Sequence, residues 1–242
     1  MVKLTLFPDV KNRYMHTMNE TAVITIDGPS GSGKGTISRM LAHELGFHFL
    51  DSGALYRLLA YAANQRGIAL DDEAELVRLS ADMHIAFPAD GRDDVVLLEH
   101  ENVGDAIRTE AAGDGASQVA ALPSVRRALL ERQRAFRSPP GLVADGRDMG
   151  TVVFPDADLK IFLTASSEER ARRRYKQLKE KGMDADYDTV LGDIRGRDER
   201  DSKRAVAPLV PADDAIVVDT SEQDIDATME CMRDLLKNRL NP

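Results

Sequence analysis

The stretch Ala22 to Thr36, AVITIDGPSGSGKGT, constrains the fold more than any other part of the chain. Val23, Ile24 and Ile26 form the apolar, β-branched run of a strand buried on both faces. A glycine-rich turn closes on Lys34, after which Ile37, Met40, Leu41 and Leu45 recur with the period of a helix that has one apolar face. Strand, loop and helix in that order predict an α/β fold with a parallel sheet and a loop that binds phosphate. Gly28, Gly31, Gly33 and Gly35, with Pro29, Ser30 and Ser32 between them, let the backbone curl so that its N–H groups and the helix N-terminus face an anion. Lys34 adds a full positive charge at the outer phosphates, and Thr36 is the hydroxyl able to touch Mg²⁺.

The strict form of such a loop has Ser or Thr directly after the lysine, whereas here Gly35 intervenes. Gly-Lys-Gly-Thr resembles the loop of nucleoside monophosphate kinases more than that of GTPases or motor ATPases, and no Asn-Lys-x-Asp segment follows to read guanine. The 242 residues carry a formal charge of −9, so no global basic field gathers nucleic acid, and nucleic acid is not expected as a partner. The sole cysteine, Cys231, excludes an intrachain disulfide and fits a reducing compartment. Five scattered histidines lack metal-ligand spacing, so no zinc site is expected. Leu4 to Phe7 is too short an apolar run for a signal-peptide core or a membrane span. Residues 1–20 read as an N-terminal extension of a cytoplasmic, monomeric protein that does not engage membranes, and residues 21–242 as one domain.

Further along, Gly46 suits the C-terminus of the first helix, and Phe47 to Leu50 fit a second strand ending in an Asp51-Ser52-Gly53 loop. A helix over about Ala54 to Arg66 would place Arg57 on its first turn near Ser52, where it could hold an anion. Asp71-Asp72 caps a helix running to Ser80. Met83 to Phe87 and Val95 to Leu98, around a turn-rich segment, read as a hairpin inserted into the parallel series. From Ile107 to Ala121 the helical pattern is interrupted by Gly113 and Gly115, and Pro123 opens a stronger helix whose many arginines should mostly face solvent. Leu142 to Asp145 is a buried strand followed by Gly146-Arg147-Asp148. Because ligands collect at the carboxyl ends of strands in open α/β sheets, Asp145, Arg147 and Asp148 should face the crevice of the phosphate loop. Leu159 to Leu163 and Ala215 to Val218 supply two more strands, and Asp224 to Leu240 an amphipathic helix with Ile225, Met229, Met232 and Leu236 on its apolar side. Between those strands lie two highly charged helices, Glu168 to Lys181 and Tyr187 to Arg204. They have little apolar face to dock permanently and suit a mobile lid that closes over a polyanion.

A glycine loop as phosphoryl donor cradle, strand-end arginines for an acceptor phosphate and a charged lid together predict phosphoryl transfer with water excluded, as in a kinase rather than a hydrolase. The segments GPSGSGKGT, LDSGALYR, ASQVAALPSVR, ADGRDMGTVVFPDA, SSEERA and RDERDSKRAVAPLVPA occur in order over nearly the whole chain and resemble those of the bacterial cytidylate kinases. That resemblance implies a five-stranded parallel sheet with helices on both faces. It also implies a nucleoside-monophosphate-binding region over 52–126 with a β-hairpin insert at about 83–103, and a lid over 166–204. The implied reaction is ATP-dependent, Mg²⁺-assisted transfer to CMP and dCMP. Residue by residue, the resemblance implies Ser52, Arg57, Arg147 and Arg204 at the acceptor phosphate, Arg197 and Asp201 at the ribose, and Ser117, Arg126 and Asp148 at the pyrimidine. Asp145 joins the substrate site, Lys34, Arg147 and Arg204 the catalytic set, and the lid arginines Arg170, Arg173 and Arg174 are candidates for ATP contacts. A carboxylate at Asp148 accepts from the cytosine amino group and is left without a donor by uracil O4, so CMP and dCMP should outrank UMP. Two other readings stay open, a kinase of the same class for another acceptor such as UMP, and a nucleotide-binding protein without catalysis.

Overall fold

The structure, a computed structural model, describes residues 21–86, 95–204 and 206–240. The extension 1–20 and the turn of the expected hairpin, 87–94, lie outside the described residues.

Strand β1 (Ala22–Asp27) is buried along its whole length, as its unbroken apolar run requires. It pairs in parallel with β6 (Gly141–Gly146) on one side and β7 (Leu159–Thr164) on the other. β2 (His48–Asp51) lies outside β6 and β8 (Ile216–Asp219) outside β7, giving the all-parallel order β2-β6-β1-β7-β8. Alternate residues serve the two faces. Ile24, Ile26, Val143 and Ile161 pack with Ile37 and Leu41 of α1 (Lys34–Leu45) and with Met229, Met232 and Leu236 of the last helix, α8 (Ile225–Leu240). Val23, Leu142 and Ala144 pack on the opposite face with Leu50, Leu55, Met149 and Phe154. Ile225, expected on the apolar side of α8, is the first residue of the helix and is exposed.

A second core joins α2 (Ser52–Gln65), α3 (Glu73–Asp82), α4 (Glu110–Val119) and α5 (Pro123–Arg134) around Leu58, Leu59, Leu76, Val119 and Leu129. A small antiparallel sheet of β3 (Ile85–Ala86), β4 (Leu97–Leu98) and β5 (Glu101–Asn102) adjoins it, with Ile85 opposite Leu98. The charged helices α6 (Ser167–Glu180) and α7 (Tyr187–Ser202) share a small core of their own, Ala171, Leu178, Val190 and Ile194, so each does bury an apolar stripe, against the other.

Several local expectations are corrected. No loop follows β2: Asp51 is itself the N-cap of α2, its Oδ1 accepting the Ala54 N–H at 2.9 Å, and Arg57 falls on the second turn. Gly113 and Gly115 do not interrupt α4. A Cβ on Gly115 would stand 3.1 Å from Ala60 Cβ and 3.4 Å from Leu70, so the glycine lets α4 lie close against α2. The arginines of α5 and its exit are not mainly solvated. Arg132 donates to Ser80 O at 2.8 Å and to Met83 O, Arg134 to Val153 O at 3.1 Å, and Arg137 to Thr21 O at 3.2 Å and Asp156 at 2.6 Å.

Close packing at one glycine and open space at another predict opposite outcomes. Gly115→Val should cost about 1–3 kcal/mol by overpacking the α2–α4 contact. Gly192→Ala, inside α7 with nothing near the added methyl, should stabilise by about 0.5–1 kcal/mol. Urea unfolding of both variants checks this; equal effects would refute the packing account of Gly115.

Candidate active site

A cavity of about 1570 Å³ opens at the carboxyl ends of β1, β2 and β6 and is roofed by α6 and α7. Ser30 to Thr36 form its floor. Gly28 and Pro29, expected in the phosphate loop, are buried behind it and do not line the cavity. Their part is to start the loop. Gly28 has φ +153°, and a Cβ there would sit 2.0 Å from Leu163 O, so glycine alone lets the chain leave β1 against β7. Pro29 O accepts from Lys34 Nζ at 3.3 Å. Lys34 Nζ lies 4.0 Å from Asp145 Oδ1. Burial lowers the Lys34 pKa to about 8, with Arg147 adding to the effect and Asp145 and Asp51 opposing it. Burial raises Asp145 to about 6 against the pull of Lys34. A Cβ at Gly35 would stand 3.2 Å from Asp145 Oδ2, so the glycine that departs from the strict loop pattern is what admits this carboxylate.

The residues expected on the acceptor side line this same cavity. Ser52 at the start of α2 donates to Gln133 Oε1 of α5 at 2.8 Å. Arg57 donates to Ile107 O at 3.4 Å. Arg126 forms a buried ion pair with Asp148, donates to Ala120 O at 3.2 Å and lies over the Tyr56 ring, 5.9 Å from its centroid. Burial pushes the Tyr56 hydroxyl up to about 12. Asp201, only 1% exposed, takes Arg147 Nε on Oδ2 at 2.8 Å and Arg204 on Oδ1. Burial alone would raise its pKa, yet the two guanidinium groups hold it below the ordinary value. The pair expected at the ribose is therefore split: Asp201 bridges the two arginines expected at the phosphate, and Arg197 turns to Asp114 Oδ1 at 3.2 Å and to Ser30 Oγ at 3.5 Å. Gly113 makes room for it, since a Cβ there would meet the Arg197 guanidinium at 3.2 Å.

The arginines expected in the lid separate. Arg173 and Arg174 line the cavity, Arg173 reaching Ser32 O at 3.4 Å and Thr220 Oγ1 at 3.2 Å. Arg170 does not line it: it is buried, bonded to Asp198 at 2.6 and 2.9 Å and to Ser30 O at 3.1 Å, and ties α6 to α7 and to the loop. Ser32 Oγ, Ser117 Oγ and Asp145 Oδ1 are buried polar atoms of the cavity wall without a hydrogen-bond partner, the condition of groups that a ligand or its water satisfies.

Sequence reasoning missed Asp27, Tyr56, Gln133 and Asp114. Asp27 was accessible to the strand-end rule that picked out Asp145, since it is the last residue of β1. Its two oxygens accept the Met149 and Gly150 N–H groups, each at 2.8 Å, and burial raises it to about 7 against those bonds, with Asp148 and Asp145 adding to the rise. Tyr56 and Gln133 carry no local signal, because their partners, Arg126 and Ser52, are distant in sequence.

Comparison with known proteins adds an independent finding. The family model described as Cytidylate kinase matches residues 24–238. The chain is 63% identical over 210 residues to a cytidylate kinase of Pseudomonas paraeruginosa (strain DSM 24068 / PA7), covering 86% of this chain and 92% of that one. A cytidylate kinase of Pseudomonas aeruginosa (strain UCBPP-PA14) is 64% identical over the same shares. One of Pseudomonas putida (strain W619) is 59% identical over 225 residues, 92% of this chain and 99% of that one.

The site's carboxylates set a pH dependence. Asp27 and Asp145 have folded-state pKa values above the ordinary 3.8, so the folded protein binds more protons than the unfolded chain between about pH 4 and 7. Their contribution is present at low pH and declines as pH rises through that window. Asp201, Glu169 and other carboxylates held low by arginine act oppositely, and their contribution is lost as pH falls below about 4. Stability of the free protein should therefore peak near pH ~5 and fall toward pH ~7. Urea unfolding at constant ionic strength measures it, and a free energy that climbs from pH 5 to 7 would contradict the assignment.

Proposed function

Because the chain belongs to the cytidylate kinase family, we propose that this cavity transfers the terminal phosphoryl group of ATP to CMP, with dCMP as a second acceptor. The enzyme is a nucleoside monophosphate kinase. The observation that carries the reading is the common opening in which the glycine loop and Lys34 face Arg147, Arg204 and the Arg126–Asp148 pair.

Phosphoryl transfer asks a protein for in-line placement, charge stabilisation and exclusion of water, and little covalent chemistry. Ser30 to Thr36 cradle the donor phosphates with loop N–H groups, and Lys34, already desolvated, gives its charge to the group in transit. Arg173 and Arg174 reach ATP from α6. Ser52, Arg57, Arg147 and Arg204 hold the acceptor phosphate. Asp201 keeps two of those guanidinium groups oriented beforehand, so little reorganisation accompanies the charge that develops during transfer. Arg197 and Asp201 serve the ribose once the lid closes. Asp148 accepts from the cytosine amino group while Arg126 and Ser117 serve N3 and O2. Among the described residues no group of three or more His, Cys, Asp or Glu side chains could hold a metal. Thr36 is the residue that would touch Mg²⁺, with Asp145 Oδ1, which faces Lys34 and accepts no hydrogen bond, available to its water shell. The chemistry Mg²⁺ supplies on arrival with ATP is neutralisation of charge on the transferring group. The sole cysteine fits a cytoplasmic setting, and no helix among the described residues is long and apolar enough to cross a membrane.

Release of ADP, followed with ATP·Mg²⁺ and each of CMP, dCMP, UMP and AMP, tests this directly. CMP and dCMP should turn over fast, UMP weakly and AMP not at all, with Lys34→Ala abolishing turnover. Asp148→Ala should lower the CMP-over-UMP ratio of kcat/KM by about tenfold or more, the scale of losing a base-specific hydrogen bond. Turnover dominated by another acceptor would keep the kinase and discard the base assignment.

A further inference from the structure

We propose that Asp27 is a positioning residue for the choice of acceptor base and acts through Asp148; this rests on the base-reading role given to Asp148 above. Asp27 is 5% exposed, and its carboxylate accepts two backbone N–H groups. It is the last residue of the central strand, fixed in the ladder opposite Gly146 on one side and Phe162 on the other.

What that rigid carboxylate grips is the peptide next to the base reader. Oδ1 accepts the N–H of Met149 and Oδ2 that of Gly150. The Met149 N–H belongs to the peptide plane that starts at the Asp148 carbonyl carbon. The bond to Oδ1 therefore sets ψ of Asp148, which is 23°, and with it the direction in which the Asp148 side chain leaves the backbone. The Asp148 carbonyl accepts the Val152 and Val153 N–H groups at 2.9 and 3.1 Å and closes a single π-helical turn, Met149–Val153, a backbone form common at functional sites. Gly150 lets that turn rest on β1, since a Cβ there would lie 2.9 Å from Thr25 Oγ1 and 3.2 Å from Lys160 Cδ. The Asp148 carboxylate arrives at Arg126 from this clamp. An amino group and a carbonyl at the same ring position differ only in hydrogen-bond polarity, so the carboxylate must be held within a fraction of an ångström to tell them apart.

The test compares Asp27→Asn, Asp148→Ala and the double variant by kcat/KM for CMP and UMP, KM for ATP, and thermal melting. Asp27→Asn keeps the volume but turns an amide N–H toward a peptide N–H. It should lower the CMP-over-UMP ratio by about tenfold while KM for ATP stays within about twofold, and the double variant should discriminate no worse than Asp148→Ala alone. Gly150→Ala, which lifts the turn off β1 and leaves Asp27 intact, should move the ratio in the same direction. An unchanged ratio in Asp27→Asn beside a collapsed one in Asp148→Ala would overturn the role of Asp27 and leave the base reading standing. An unchanged ratio in Asp148→Ala would overturn both. Should Asp27→Asn fail to fold, an unchanged ratio in Gly150→Ala overturns the proposal.

Discussion

Concentrating guanidinium groups in a chain of net charge −9 brings like charges together, and three buried carboxylates, Asp145, Asp148 and Asp201, hold the cluster in place. Asp148 pairs with Arg126, Asp201 with both Arg147 and Arg204, and Asp145 stands 4.0 Å from Lys34. Each carboxylate costs desolvation energy that its partners must offset, and removing one partner of such a buried pair costs about 3–5 kcal/mol. The arrangement is thus weakly stabilising as a whole and strongly specified in its parts. That suits a site whose geometry must exist before substrate arrives.

The sheet order explains why these groups converge. With β1 between β6 and β7, the glycine loop leaves β1 directly beside the strand end that carries Asp145 to Asp148. One register pair, Asp27 with Gly146, sets the distance between the glycine loop and the segment Arg147-Asp148. Glycines then decide how closely the pieces approach. Gly28 yields to β7, Gly35 to Asp145 and Gly113 to Arg197. A loop pattern with serine directly after the lysine would press a Cβ to 3.2 Å from Asp145 Oδ2.

Sequence made the sheet legible because its strands are continuous apolar runs, and it made Asp145, Arg147 and Asp148 legible because they follow one of those runs at once. The same logic applied to Asp27 would have worked, but the glycines beside it drew the reading toward the loop. Gly113 and Gly115 were misread because propensity describes an isolated helix, whereas their packing against Arg197 and Ala60 outweighs it. Arginines on α5 were misread for a related reason. A guanidinium spans far enough to satisfy carbonyls at the ends of neighbouring elements, as Arg132 and Arg134 do, and nothing in their spacing announces it. Ser52 and Gln133 are 81 positions apart, so their bond is a product of the fold.

The helix pair α6 and α7 shows how a unit can be both cohesive and exchangeable. Internally it is joined by an apolar cluster, Ala171, Leu178, Val190 and Ile194, and by the Arg170–Asp198 ion pair. Its attachments are polar. Arg170 reaches Ser30 O, Arg173 reaches Ser32 O and Thr220, and Arg197 with Arg200 shares Asp114 on α4. Asp114 is half exposed, so that last bond is screened by salt and individually weak. Phosphate and ribose oxygens are acceptors of the same kind as the carbonyls and carboxylate these arginines now use. Exchange of one set of partners for the other carries a small net cost, which is what the role proposed for this pair, a lid that closes on a nucleotide, requires.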